Sequence, residues 1–357
     1  MSIALSRILC VAAFASSVFA TSVFAQPPGP RPTGPPPAVR PGVPSEAPVP
    51  GTAPVAPQPG QPATVTPQPA QPNGEEAKIP EPEDITLETE DRVLLRATWY
   101  PGTLGKEAVP IILLHDGRGN RTQMMPLAKY LQLQGHAALA LDLRGFGQST
   151  SSALNPTVKI DHDKFRGVDY LGIVTQDIEA AKRFLMERNN AGELNIELLT
   201  IIAAGESTAA AMNWAVRDWS WPDLLNRKQG KDIKALILLS PERKWETINA
   251  TAALTHPAVA FMSFLIAYGA ETRSAASEAD KYYGQLEKTH PIPPGAEGDD
   301  RLKTLVKTEV PTKVQGAQLI DPRLRLGLER SISKFIKEKL SDNAAIYGWT
   351  DRSAGTP

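Results

Sequence analysis

The hydrophobic positions of this chain follow a strand-like rhythm from about residue 84 onward. Segment 84–102 alternates apolar and polar residues on both sides of "ETED", which predicts a two-stranded antiparallel hairpin. Further along, short unbroken apolar runs are typical of strands that are buried on both faces. These runs are "VPIILLHDG", "AALALDLRG", "IELLTIIAAG", "IKALILLS" and "MSFLIAYG", with "VQGAQLI" as a weaker last strand.

Segments with helical spacing separate these strands. In "IVTQDIEAAKRFLMER" four apolar residues fall on one face of a helix. The other predicted helices are "QMMPLAKYLQLQGH", "STAAAMNWAVRDW", "SAASEADKYYGQLEK" and a closing helix that starts near Leu328. Strands that alternate with helices predict one α/β domain over residues 81–342, with a mostly parallel central sheet and helices on both faces.

The first 25 residues have the pattern of a secretory signal peptide. Arg7 stands in a short N-terminal region, a run of mostly apolar and small residues follows, and cleavage is expected after Ala20 or Ala25. We therefore expect export to the periplasm or the cell exterior. The alternative is a membrane anchor formed by an uncleaved leader, because residues 8–25 are almost long enough to span a bilayer. No membrane span is expected after the leader.

Residues 26–80 have the composition of a tether rather than of a folded domain. This segment holds 19 of the 33 prolines and has no aromatic residue. It cannot bury enough apolar surface to fold, so we expect an extended, disordered linker that holds the folded domain away from the envelope. Residues 343–357 are expected to be a flexible C-terminal tail.

Charge and cysteine content exclude several kinds of site. The formal net charge of −1 gives no reason to expect binding to nucleic acid or to an anionic membrane surface. Cys10 is the only cysteine and lies in the leader, so a cleaved chain has no disulfide, thiol nucleophile or cysteine metal site. We expect no cofactor and no metal, and the oligomeric state stays open.

Three motifs carry a resemblance to a known family. "ILLHDG", "DLRGFGQS" and "GESTA" occur in this order, each at the end of a predicted strand. In order and context they resemble the motifs of the α/β-hydrolase fold superfamily, which contains serine hydrolases and esterases. The resemblance covers nearly all of the predicted domain, and it implies an N-terminal antiparallel hairpin before the parallel sheet.

By this resemblance, "GESTA" is a nucleophile elbow with Ser207 as the nucleophile. Gly205 and Ala209 are small, as the tight turn requires. The backbone N–H of Thr208 would supply one oxyanion donor, and the loop at Asp116 or Gly117 would supply the other. Family members commonly read His-Gly in that loop, and a carboxylate there is unfavourable beside a developing oxyanion.

The base of a serine triad is missing from its usual place. In the family a histidine follows the last strand, but no histidine occurs beyond His290. The five histidines are His115, His136, His162, His256 and His290. Among them His256 is the best relocated base, because it precedes Pro257 in a stretch that can approach the site. His162 lies between two aspartates, a weak signal for metal.

The acid of the triad is also ambiguous. Glu271 follows the strand after which the family places its aspartate, and Glu242 is a weaker candidate. We therefore favour an exported hydrolase homologue that is weakly active or non-catalytic and retains a pocket. The alternative is an active esterase-like enzyme that uses Ser207, His256 and one of these glutamates on a small ester. A purely structural envelope protein is a third possibility, which leaves the elbow unexplained.

Overall fold

The computed structural model describes residues 79–222, 228–294 and 299–353. These residues belong to a unit that runs from Pro72 to Pro357. The predicted signal peptide and nearly all of the predicted linker lie outside the described residues. Within them, no helix combines the length and the apolar character needed to cross a bilayer.

The described part of the chain contains eleven strands and seven α-helices, joined by loops and short 3-10 turns. The strands are β1 (Glu83–Glu88), β2 (Val93–Tyr100), β3 (Pro110–Leu114), β4 (Ala137–Leu141), β5 (Ser151–Ser152), β6 (Leu199–Ala204), β7 (Ile233–Leu239), β8 (Lys244–Trp245), β9 (Ile248–Asn249), β10 (Ser263–Gly269) and β11 (Leu305–Val310). The helices are α1 (Met125–Leu133), α2 (Gly167–Gly172), α3 (Ile178–Asn190), α4 (Ser207–Trp219), α5 (Thr251–Leu254), α6 (Arg273–Leu286) and α7 (Leu328–Lys339).

Nine of the strands form one sheet. Its order is β1-β2-β4-β3-β6-β7-β10-β11, and the short β5 pairs with β2. In this sheet order, the neighbouring strands β4, β3, β6, β7, β10 and β11 all pair in parallel. β1 and β2 form an antiparallel hairpin, and β2 runs antiparallel to β4. The predicted fold class is confirmed: a mostly parallel sheet that follows an antiparallel hairpin.

The central strands are unbroken apolar runs because both faces of the sheet are covered. In β3, Ile112 and Leu114 join the core on one face, and Ile111 and Leu113 join the core on the other. All four side chains are fully buried. The amphipathic helix α7 buries Ile332 and its apolar neighbours against the second core. Helices on both faces therefore account for the absence of polar alternation in these strands.

The last strand is not where the sequence pattern placed it. β11 is Leu305–Val310, and "VQGAQLI" instead forms a 3-10 turn over Gly316–Ile320. Leu319 and Ile320 are buried there beneath α7, so the apolar run reflects core packing and not strand pairing. The histidine of a triad would then come from the loop after Val310, which also contains none.

The segment expected to be a flexible tail packs against the domain up to Ser353. Asn195 donates a side-chain hydrogen bond to the carbonyl of Tyr347 (2.8 Å). The side chain of Arg352 is 6% exposed, and it pairs with Asp232 (2.9 Å) and Glu197 (2.7 Å). The guanidinium of Arg352 neutralises these buried carboxylates, and this ion pairing holds the C-terminal segment against the domain.

Candidate functional site

A cavity of about 670 Å³ opens at the carboxyl edge of the parallel strands. The following residues line it: Asp116, Gly205, Glu206, Ser240, Pro241, Glu242, Thr272, Ser274, Ala275, Glu278, Lys313, Val314, Gln315, Gly316 and Gln318. Glu206 and Glu242 also line a neighbouring cavity of about 560 Å³, which has Tyr170 and Trp245 in its wall. We call the two together the carboxyl-edge cavity. Open α/β sheets bind their ligands at this edge.

The floor of the carboxyl-edge cavity is the turn between β6 and α4. β6 pairs with β3 and β7 up to Ala203 and Ala204 respectively, and the chain then turns at Gly205. Gly205 has a φ of +54°, in the left-handed region that favours glycine. Glu206 already has helical backbone angles, and α4 begins at Ser207.

The hydroxyl of Ser207 faces the protein interior and not the cavity. Its side chain is fully buried and does not line the cavity. Oγ donates a hydrogen bond to the carbonyl of Ala204 (2.9 Å) and accepts one from the N–H of the same residue (3.2 Å). The carbonyl of Leu114 lies 3.5 Å away. These backbone contacts tie the first turn of α4 to the end of β6, a structural role for this hydroxyl.

The carboxylate of Asp116 occupies the space above the turn. A Cβ built on Gly205 would lie 2.5 Å from Asp116 Oδ1, and a Cβ on Gly316 would lie even closer. The N–H of Ala317 donates to Asp116 Oδ2 (3.1 Å). Burial raises the pKa of Asp116 to about 6; the hydrogen bond from Ala317 opposes this shift and the nearby Glu206 carboxylate adds to it. The carboxylate thus fills the gap between the two glycines.

The backbone donors expected to stabilise an oxyanion already have partners. The N–H of Thr208 donates to the carbonyl of Gly205 (3.1 Å). The N–H of Gly117 donates to Glu206 Oε2 (3.1 Å), and the N–H of Asp116 donates to Gln123 Oε1 (3.2 Å). An oxyanion at this edge would have to displace these acceptors in the presence of two carboxylates, which is electrostatically unfavourable.

His256, the candidate base, caps a turn outside the cavity. Its Nδ1 accepts a hydrogen bond from the N–H of Ala258 (3.2 Å) at the start of the 3-10 turn Pro257–Phe261. His256 does not line the carboxyl-edge cavity. No hydrogen bond joins Ser207 to a histidine or a carboxylate among the residues that the structure describes.

The other histidines also have structural partners. His115 is fully buried, and the N–H of Leu143 donates to its Nε2 (3.2 Å), so Nδ1 carries the proton and donates to the carbonyl of Asp116 (2.6 Å). Burial lowers the pKa of His115, and burial lowers that of His136 to about 4. His162 stacks on Phe146 with ring centroids 4.4 Å apart, and the ring of His290 contacts the carbonyl of Met262 (3.0 Å).

The two candidate acids lie at different distances from the cavity. Glu271 is exposed and does not line it. Glu242 lines both parts, and its pKa is raised by burial and by the carboxylates of Glu206 and Glu278. In the described part of the chain, no group of three or more His, Cys, Asp or Glu residues is arranged to hold a metal ion.

No protein-family model and no curated protein sequence matches this chain. Solved structures do match it. A dienelactone hydrolase from Anabaena variabilis ATCC 29413 aligns with a TM-score of 0.52 and 13% identity, over 74% of this chain and all of the hydrolase. The esterase Pf2001 from Pyrococcus furiosus aligns with a TM-score of 0.52 and 16% identity, over 73% of this chain and 92% of the esterase. The chain has the α/β-hydrolase fold.

In the α/β-hydrolase fold the nucleophile stands at the strained turn between a central strand and the following helix. That position is held here by Gly205, two residues before Ser207. The assignment of Ser207 as nucleophile, with Thr208 as oxyanion donor, therefore stays a prediction that this geometry does not favour. The geometry does not favour the assignment because the Ser207 hydroxyl is buried, so a substrate carbonyl cannot reach it in this arrangement.

Sequence reasoning missed three residues that shape this site. Glu206 accepts the hydrogen bond from Gly117. Ser240, with a φ of +50°, donates to Gln315 Oε1 (2.6 Å). Gln315 in turn donates through Nε2 to the carbonyl of Gly269 (2.9 Å), which fastens the loop after β11. The sequence signal near these residues was the run of small residues before Ser207. That run fits an elbow centred on Gly205 as well as one centred on Ser207.

Proposed function

We propose that this chain is an exported protein of the α/β-hydrolase fold that lacks efficient serine-triad catalysis and acts by binding a small molecule in the carboxyl-edge cavity. The observation that carries the proposal is the glycine at the turn, Gly205, with the Asp116 carboxylate above it. A serine hydrolase of this fold needs a nucleophilic side chain at this turn, and glycine provides none.

The surroundings of the turn support the same conclusion. The loop after β11 holds Gln315 and Gly316 and no histidine, so no imidazole is supplied from the usual side. Removing the base from a serine triad lowers the rate by several orders of magnitude. The carboxylates of Asp116, Glu206 and Glu242 would repel the oxyanion of an ester-hydrolysis intermediate.

The groups that line the carboxyl-edge cavity support a binding role. Its combined lining includes amide, hydroxyl and aromatic groups from Gln315, Thr272 and Trp245, which suit recognition of an organic molecule. The excess of carboxylates disfavours anionic ligands. Export is proposed from the leader and the proline-rich segment, which would place this binding function in the periplasm or outside the cell.

The catalytic half of the proposal is tested with a fluorophosphonate probe and with 4-nitrophenyl acetate. We expect neither labelling nor turnover above a heat-denatured control, and no difference between the wild type and Ser207→Ala. Labelling that is lost in Ser207→Ala would overturn the proposal. If labelling were also lost in His256→Ala and in Glu242→Gln or Glu271→Gln, the active esterase with a relocated triad would be correct.

The binding half is tested with Nile red, an uncharged fluorescent dye. Ala275 lines the cavity from α6, whereas Ser277 lies on the exposed side of the same helix. We expect the indole of Ala275→Trp to fill the cavity and exclude the dye. Dye binding should weaken at least about tenfold, which corresponds to a loss of about 1.4 kcal/mol of binding free energy. The matched variant Ser277→Trp should bind like the wild type. Equal binding by both variants would argue against this cavity as the ligand site.

A further inference from the structure

A second cavity, of about 650 Å³, lies at the opposite, amino edge of the sheet. The start of β7, the end of α4, the turn before β10 and the C-terminal segment form its walls. Its lining is Glu197, Trp219, Lys228, Lys234, Phe261, Ile346, Tyr347, Gly348, Thr350, Asp351, Arg352 and Ser353. We call it the amino-edge cavity. It shares no residue with the carboxyl-edge cavity.

One wall of the amino-edge cavity is an aromatic surface. The rings of Trp219 and Phe261 stack with centroids 5.0 Å apart and an angle of 8° between their planes. Trp219 Nε1 donates to the carbonyl of Ile233 (3.0 Å), which fixes the indole in place. Phe261 is 62% exposed, an unusual state for a large apolar ring. The pair offers a flat face on which a further ring can stack.

Lys234 brings a buried positive charge to this aromatic wall. The residue is 8% exposed, and its Nζ lies 5.2 Å from the ring centroid of Trp219 and 5.6 Å from that of Tyr347. It donates a hydrogen bond to the carbonyl of Lys231. An ammonium has three donors, and among the described residues no carboxylate lies within ion-pair distance of Lys234.

The neighbouring cations of the cavity are already paired. Arg352 binds Asp232 and Glu197, and Lys228 binds the same two carboxylates. Burial, together with the charge of Lys228, lowers the pKa of Lys234 to about 8, although the more distant carboxylates of Glu197, Asp232 and Asp218 oppose this shift. A buried ammonium without an anion is unfavourable, and a ligand that supplies the anion would remove that penalty.

We propose that the amino-edge cavity binds an aromatic carboxylate, whose ring stacks on the Trp219–Phe261 pair and whose carboxylate pairs with Lys234. A single ammonium matches one negative charge, and the flat apolar wall beside it matches a ring. The site is separate from the cavity of the proposed function and does not depend on it.

The probe for this proposal is 2-naphthoate, measured by isothermal titration calorimetry on the full chain, with the uncharged 2-naphthamide as its isostere. We expect the naphthoate to bind at least about tenfold more tightly than the amide, as expected for a charge-assisted hydrogen bond. Lys234→Met should remove this preference. Phe261→Ala, at a largely exposed position, should weaken both ligands about equally.

The pH dependence separates pairing with Lys234 from a merely structural role of this residue. Because the carboxylate binds the protonated amine, the wild-type affinity for naphthoate should fall as pH rises through about 8, the pKa of free Lys234. Binding by Lys234→Met should not change over this range. The matched control Lys334→Met, at a lysine on α7 whose side chain is 68% exposed, should behave like the wild type.

Three results would overturn the proposal. They are equal affinity for naphthoate and naphthamide, unchanged binding by Lys234→Met, and unchanged binding by Phe261→Ala. The variant Ala275→Trp, which fills the carboxyl-edge cavity, should leave naphthoate binding intact. This variant therefore distinguishes failure of the amino-edge site from failure of the proposed function.

Discussion

Gly205 and Gly316 leave room for Asp116 because neither residue has a side chain. Gly205 also has a left-handed backbone, which a residue with a Cβ adopts only at a cost of roughly 1–2 kcal/mol. In a hydrolase a nucleophile would accept that strain in exchange for reactivity. Gly205 has no side chain that could act as a nucleophile, and the Asp116 carboxylate occupies the space where a side chain would lie.

A double-mutant cycle tests this close approach. Gly205→Ala should lower the free energy of unfolding by about 2–3 kcal/mol, because the backbone strain adds to the contact with Asp116 Oδ1. In the Asp116→Ala background the same change should cost about 1 kcal/mol less, since the contact is gone. Urea denaturation monitored by circular dichroism measures all four proteins.

Gly327→Ala is the matched control for the cycle. Gly327 also has a positive φ, of +74°, but among the described residues no atom beyond its immediate chain neighbours lies within 4 Å of a Cβ built on it. It should therefore show the backbone cost alone, and that cost should not change with Asp116→Ala. Additive effects of the changes at residues 205 and 116 would show that the carboxylate does not occupy the space above the turn.

At the scale of elements, the length of β6 decides which residue reaches the turn. The run "AAGESTA" has small residues at positions that fit an elbow centred on Gly205 or on Ser207. Pairing with β3 and β7 keeps the strand extended as far as Ala204, so the turn falls on the next residue. Local sequence does not contain that register, because it arises from contacts with strands distant in the chain. The fold class was predictable from the sequence, whereas the residue at which the chain turns after β6 was not.

The loop after β4, with the motif "DLRGFGQS", is held by a buried ion pair. Arg121 pairs through Nη1 with Asp142 Oδ2, and both side chains are at most 8% exposed. The N–H of Arg121 also donates to Asp142 Oδ1 (2.6 Å), and the N–H of Gln148 donates to Oδ2 (2.9 Å). This motif carried much of the resemblance to hydrolases, and its aspartate serves the structure of the loop.

Asp142→Ala should therefore destabilise the protein strongly. It leaves the Arg121 guanidinium buried without its main partner, and breaking a buried pair in this way costs about 3–5 kcal/mol. Lys334→Ala removes a solvent-exposed cation that lies 3.8 Å from Glu338, and it should cost less than about 1 kcal/mol. Urea midpoints measure both. A loss below about 1 kcal/mol for Asp142→Ala would contradict the role of this pair.

For the molecule as a whole, the sequence predicted those parts whose burial leaves a regular pattern of apolar residues. The hairpin shows alternation, the central strands show continuous apolar runs, and the main helices show apolar residues at helical spacing. The last strand was misplaced because β11 ("LVKTEV") lies at the sheet edge with partly exposed side chains, whereas the apolar "VQGAQLI" is buried without strand pairing. The C-terminal segment was expected to be flexible because ion pairing with distant carboxylates leaves no local pattern.

The C-terminal segment gives the sharpest contrast between expectation from sequence and structure. A flexible tail could be deleted without effect. In the structure, the buried carboxylate of Asp232 lies among Lys182, Lys228 and Arg352, which lower its pKa to about 2 although burial opposes the shift. Asp232 thus stabilises the fold above about pH 4, and this contribution is lost as pH falls towards 2.

Deletion of residues 343–357 should therefore lower the free energy of unfolding at pH 7 by about 3 kcal/mol, because it removes Arg352 and the backbone acceptors at Tyr347 and Thr350. Deletion of residues 354–357 alone, which keeps all of these contacts, should have little effect. Because Asp232 has one cation fewer, its folded-state pKa should lie closer to its unfolded value, so the longer deletion should lose less further stability than the wild type as pH falls below about 4. Urea denaturation between pH 3 and pH 7 measures both effects. Equal stability of the two truncated proteins would show that residues 343–353 do not stabilise the domain and behave as a flexible tail.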